Sequence, residues 1–144
     1  MSNAINDLSF LIGKWQTSGN VLTTADSPAI TINGTDSYAW VSGGQFILHT
    51  VDVLMGDNQV ELVEVIGYDK ESNKFIMYAF DSEGQHNTMF ATSDAPNELS
   101  ITDENMRSFL NAKNDGKTMT ALWERSDDSI NWLPWMDMHF TKIS

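Results

Sequence analysis

A chain of 144 residues with 41% apolar side chains is sized for one domain around one core, residues 1–144. Its net charge of −12, from 20 acidic against 8 basic side chains, argues against nucleic acid as a partner, because a phosphate backbone needs clustered lysine and arginine. With no cysteine, disulfides, thiolate nucleophiles and cysteine-held metal or iron–sulfur centres are excluded.

The start, MSNAINDLSF, has neither the basic flank nor the apolar stretch of a signal peptide, and no run approaches the roughly 20 apolar residues of a bilayer span. A cytoplasmic protein with no membrane partner is the expectation. Ile5 to Leu11 suggests a short turn of helix. From there on the recurring signal is period two, the mark of half-buried strands.

The first strand is expected over Lys14 to Leu22. ITINGTDSYAWV places Ile30, Ile32, Tyr38 and Trp40 on one side. QFILHTVDVLM, QVELVEVIGYD, NKFIMYAFD and NTMFAT follow, rich in β-branched and aromatic residues. Gly43-Gly44, Gly56-Asp57-Asn58, Asp69 to Asn73 and Asp81 to Gly84 separate them as hairpin connections. NELSITD, MRSFLNAK, KTMTALWERS and NWLPWMDMHFTKI complete the series, with Asn114-Asp115-Gly116 supplying the residues a tight turn of positive φ requires. Pro134 cannot donate a ladder hydrogen bond, so a bulge or an edge position is expected there.

Roughly ten short strands without crossover helices predict an all-β fold, an antiparallel up-and-down barrel that closes its own edges. One side-chain parity then faces a lumen and the other faces outward.

The lead-in LxxLIGKW, with Gly13-x-Trp15, resembles the first-strand signature of the calycin superfamily, which contains the lipocalins and fatty-acid-binding proteins. Ile66-Gly67-Tyr68-Asp69 followed by KFIMYAFDSEG, and the terminal SDDSINWLPWMDMHFTK, resemble a lipocalin-like bacterial family of unknown function over nearly the whole chain. The resemblance implies a calycin barrel without supplying an activity. The Thr-Asp-Tyr loop and C-terminal helix of true lipocalins have no counterpart here. In lipocalins a basic residue stacks on the Gly-x-Trp indole, which implies Arg125 or Lys142 for Trp15.

Trp15 is then either lumen wall or a plug closing one end of the barrel. Tyr38, Trp40 and Trp123 occupy parities suited to the lumen, and with Trp15 and Arg125 they form the expected ligand-binding set for a small, mostly apolar molecule. Met55, Met77, Met89, Met106, Met119, Met136 and Met138 add adaptable lining or core. His49, His86 and His139 fall on three different strands without zinc-ligand spacing. Nitrobindins, a haem-binding calycin group, are similar in carrying an axial histidine on the last strand, which makes His139 the matching position and haem the alternative cofactor. If Met136, Met138 and Phe140 face inward, however, His139 faces out with Asp137.

Asp36, Asp52 and Glu64 share parities with Tyr38, Leu48 and Ile66 and so are candidates for inward-facing acids. No Gly-x-Ser-x-Gly, P-loop or dinucleotide fingerprint is present, so the sequence reads as a binding protein rather than an enzyme, without a required cofactor. QFILHTVDVLM, QVELVEVIGYD and KFIMYAFD are apolar at both parities. That leaves an apolar patch outside the barrel, and predicts a homodimer through this sheet or a non-catalytic interaction module. Covering of the patch by the N-terminal segment is the competing expectation.

Overall fold

The computed structural model describes residues 4–22 and 29–144; the remaining residues of the predicted single domain lie outside the described residues. A 3₁₀ helix, Ala4–Leu11, precedes ten strands: β1 (Gly13–Val21), β2 (Ile30–Val41), β3 (Phe46–Met55), β4 (Asn58–Asp69), β5 (Lys74–Asp81), β6 (His86–Thr92), β7 (Glu98–Thr102), β8 (Met106–Lys113), β9 (Thr118–Arg125) and β10 (Leu133–Lys142). Each strand pairs antiparallel with its sequence neighbours, and β1 pairs with β10 to close the barrel, from Trp15 opposite Lys142 to Val21 opposite Met136. The expected all-β, up-and-down barrel is the fold observed. Among the described residues no helix is long and apolar enough to cross a membrane.

Turn chemistry sets the hairpins. Asn114, Asp115 and Gly116 all adopt positive φ, at 55°, 57° and 79°, as the Asn-Asp-Gly triplet predicts. The ladder between β9 and β10 slips by one residue between Pro134 and Met136, the bulge expected from the proline.

The helix ends at the closed end of the barrel, where Ile5, Leu8 and Leu11 are buried in one cluster with Trp15 and Ile47, and Leu11 borders the lumen. Trp15 is fully buried, and its indole N–H donates to the Leu11 carbonyl at 2.9 Å, so the polar atom of a large apolar plug has its partner. Gly13 makes the turn between helix and strand at φ 136°, where a Cβ would meet Lys142 Cε and the Ser144 carbonyl, both at 2.7 Å. Gly-x-Trp thus joins a lid, a tight backbone approach and a plug in three residues.

Lys142 places Nζ 5.5 Å from the centre of the Trp15 ring and is the stacking cation there, whereas Arg125 lies over Trp135 at 4.3 Å, near the opposite end of the barrel. Of the two basic residues open to that role, Lys142 takes it.

Candidate functional site

The inward parity of the strands encloses an apolar lumen of about 280 Å³, with Val53, Ile66, Met77, Met89, Leu110 and Met138 among its walls. Met55, Met77, Met89, Met106, Met136 and Met138 all line it, while Met119 is buried in the core. Towards the open end, where β3 turns into β4 and β9 runs out, Trp123 and Trp135 meet edge to face with ring centres 6.4 Å apart. The wall is notched on one side. β6 and β7 share only Phe90–Thr102, Ala91–Ile101 and Thr92–Ser100, so His86 to Met89 have no partner in β7, and Asn87 and Met106 border the lumen there.

Within this apolar space sits one polar cluster, made by cross-strand alignment of β2, β3 and β4. Tyr38 pairs with His49 and His49 pairs with Glu64, all three on the inward parity. The His49 ring stacks on Tyr38 at 4.0 Å between centres and 9° between planes. Nε2 donates to Asp36 Oδ2 at 2.7 Å and Nδ1 to Glu64 Oε1 at 2.9 Å. Thr17 on β1 donates its hydroxyl to Asp36 Oδ1 at 2.5 Å. Asp36, Glu64 and Thr17 are buried, and the His49 side chain is 12% exposed.

Burial pushes the His49 imidazole towards its neutral form, but the hydrogen bonds and charges of Asp36 and Glu64 outweigh it and lift the pKa from 6.5 to about 9. At neutral pH the ring is an imidazolium with both N–H groups given to carboxylates. The Tyr38 hydroxyl is held well above its ordinary value, by burial first and then by the charges of Asp36 and Glu64. It stays a neutral phenol.

Two carboxylates against one imidazolium leave one negative charge uncompensated inside the lumen. Among the described residues Glu64 Oε2 accepts no hydrogen bond, and the Ser108 hydroxyl, buried on β8 in the cavity wall, has no partner at all. Both are unused polar capacity facing an apolar space.

Of the expected ligand set, Tyr38 and Trp123 line the lumen. Trp15 does not, being fully buried at the closed end, where Leu11 is the residue that borders the cavity; Trp40 is half-buried near the closed end, beyond the cavity; Arg125 is exposed at the rim. Position along the strand, which parity does not encode, takes these three out of the cavity. Asp36 and Glu64 face inward as candidates, whereas Asp52 faces out with Leu48 and is held by Gln59 at 3.1 Å.

His139 requires a correction as the haem-ligand position. Its side chain is 57% exposed, 3.2 Å from Asp137 on the outer face, because Met136, Met138 and Phe140 take the inward parity of β10. The lumen histidine is His49, and its two nitrogens are both committed as donors, leaving no lone pair for iron in this arrangement. Sequence reading missed His49 as the centre of a cluster and Ser108 as an orphan.

The fold is a closed ten-stranded antiparallel barrel, consistent with a calycin-like barrel, with an apolar lumen and one buried ionic cluster. Residues 6–133 match the family described as "Protein of unknown function (DUF1579)", and the chain belongs to that family. No curated protein matches it in sequence. Among solved structures, the crystal structure of Rv2717c from M. tuberculosis is similar, with a TM-score of 0.72 and 11% identity over 100% of this chain and 99% of that one. At that identity the likeness concerns the fold.

Proposed function

We propose that this protein is a lipocalin-like, cytoplasmic binding protein that holds a small, mostly apolar molecule in its lumen, without catalysing a reaction on it. The carrying observation is the cavity of about 280 Å³ in a fold whose core would otherwise be expected to close, lined by methionines and aromatics around a few polar groups. Tyr38 and Trp123 supply rigid aromatic wall, and the methionines supply surface that fits several shapes. The notch between β6 and β7 gives the molecule a way in beside the rim.

Native mass spectrometry of freshly isolated protein should show a retained organic mass that Ala121→Phe expels, because the added ring occupies lumen volume rather than core. Ala121 is a buried wall residue, so the substitution fills space already present. A variant that unfolds no earlier and retains the same mass would defeat the reading. Haem as the bound molecule would show as haem mass with a Soret band, and His139→Ala would abolish it only if that imidazole were the ligand.

The outer face supports a second element of function, a homodimer. Val63, Tyr78, Phe80 and Phe90 are each about two-fifths to half exposed on neighbouring strands, and the N-terminal helix leaves them open because its own apolar residues are buried in the floor. The rim end of the patch is acidic, with Asp52 and Glu61 opposite each other and both bonded by Gln59, while at the other end exposed Lys74 lies opposite Asp69. A two-fold pairing that runs the strands of two copies in opposite directions buries the apolar middle and keeps the two acidic ends apart. Light scattering at micromolar concentration is expected to give a dimer, and Tyr78→Lys a monomer with unchanged lumen binding. A monomeric wild type would remove the dimer.

A further inference from the structure

The polar cluster narrows what the lumen accepts. We propose that the ligand is an amine: an apolar body carrying one ammonium group, seated against Glu64 and Asp36 beside the His49 ring, with a second, uncharged polar group reaching Ser108. This rests on the lumen being the binding site and adds the chemical class of its occupant.

Charge and unused hydrogen-bonding capacity both point to a cationic donor. His49 neutralises one carboxylate equivalent of the pair, and geometry spends both its N–H groups doing so. Thr17 takes one further oxygen of Asp36. Glu64 Oε2 is left with no donor among the described residues, in a cavity wall that is mostly apolar. A carboxylate left so is costly, and a donor carrying positive charge offsets both the missing hydrogen bond and the surplus charge. An anionic ligand would instead add a second uncompensated charge. A neutral apolar ligand would leave the carboxylate as it is and expel the water that could solvate it.

Ser108 is the independent observation. It lies on β8, well around the barrel from β3 and β4 in the strand order, and its buried hydroxyl has no partner among the described residues. Groups near two separated points of the wall therefore call for a molecule with polar atoms at two separated points. The apolar residues between them, Met77, Ala79, Met89 and Ile101 among them, fit a hydrocarbon body.

The probes are octylamine, 1-octanol and octanoate at pH 7, with 8-amino-1-octanol as the two-ended ligand, followed by Trp fluorescence and calorimetry. Octylamine should bind about tenfold to hundredfold more tightly than 1-octanol, the range a charge-assisted hydrogen bond covers, and octanoate more weakly than either. Glu64→Gln should bring octylamine to within about twofold of 1-octanol, since a neutral amide offers only an ordinary acceptor. 8-Amino-1-octanol should exceed octylamine in the wild type and lose that advantage in Ser108→Ala.

If 1-octanol binds and octylamine is not preferred, or octanoate binds best, the amine proposal is wrong while the apolar-lumen reading stands. Binding of none of the four overturns both. The wild-type ranking decides the matter even if Glu64→Gln fails to fold.

Discussion

Replacing His49 by phenylalanine is expected to cost about 3–5 kcal/mol of unfolding free energy at pH 7, the range seen when one partner of a buried ion cluster is removed. Phenylalanine keeps the ring that stacks on Tyr38 at 4.0 Å, so the loss isolates the charge and the two donors. What remains is Asp36 and Glu64 buried without their shared cation, with only the Thr17 hydroxyl as donor among the described residues. Urea denaturation of the single variant measures the cost. The informative comparison is the triple variant Asp36→Leu, His49→Phe, Glu64→Met, in which no charge is left to strand. It should recover most of the loss, because an apolar set of similar volume in place of a buried ionic cluster is commonly neutral or stabilising. A single variant within about 1 kcal/mol of wild type would mean that the carboxylates are better solvated than their burial implies. A triple variant as damaged as the single would mean that shape, and not charge, holds this part of the wall.

That comparison bears on function. If the triple variant is as stable as the wild type or more so, the cluster is no requirement of folding, and a polar cluster maintained inside an apolar lumen at no gain in stability is best accounted for by what it binds.

The barrel was legible because its signals are local. Period-two alternation, Gly-Gly, Asn-Asp-Gly and the proline bulge each act within a few residues, and in a meander every hairpin lies next to the last, so local signals compose into the whole topology. On β10 the alternation of Met136, Met138 and Phe140 with Asp137, His139 and Thr141 pointed to the inward parity observed, but Trp135 on the other parity and the bulge at Pro134 left the assignment open in the sequence. On β3 inward parity was not legible. Phe46, Leu48 and Leu54 on one parity and Ile47, Val51, Val53 and Met55 on the other are equally apolar, and only the closed structure shows that the second set, and His49 with it, faces in.

The cluster itself was within reach of hairpin arithmetic. Once the turns are placed at Gly43-Gly44 and Gly56-Asp57, His49 falls opposite Tyr38 across the first and opposite Glu64 across the second. Alternation assigns faces but not heights, and it is register that brings three chemically unrelated positions into one row. Position along the axis explains Trp15, Trp40 and Arg125 in the same way: one is fully buried at the closed end, one lies half-buried near it and one is at the rim.

Stability should fall by about 3 kcal/mol as pH rises from 6.5 to beyond 9, the free energy that corresponds to lifting His49 from 6.5 to about 9 on folding. The sign follows from the direction of that shift. Below pH 6.5 the imidazole is protonated both in the unfolded chain and between Asp36 and Glu64, and its stabilising contribution is present in full. Between 6.5 and about 9 the unfolded chain has lost the proton and the folded one keeps it, so the native state holds on to a proton at a growing cost. Above about 9 the folded ring also deprotonates and its contribution is gone. Tyr38 steepens the decline at the alkaline end, because a phenol raised by burial and by the same two carboxylates resists an ionisation that the unfolded chain undergoes near its ordinary value of 10.0. Denaturation curves at a series of pH values test the slope, and the imidazole resonances of the folded protein test its origin, with the His49 midpoint expected near 9. A midpoint at or below 6.5 would place a neutral ring between the carboxylates and require one of them to carry the proton instead. The cluster would then be uncharged apart from the other carboxylate, and the preference for an ammonium ligand over an alcohol would have to come from that single charge, which Glu64→Gln and Asp36→Asn would divide between them.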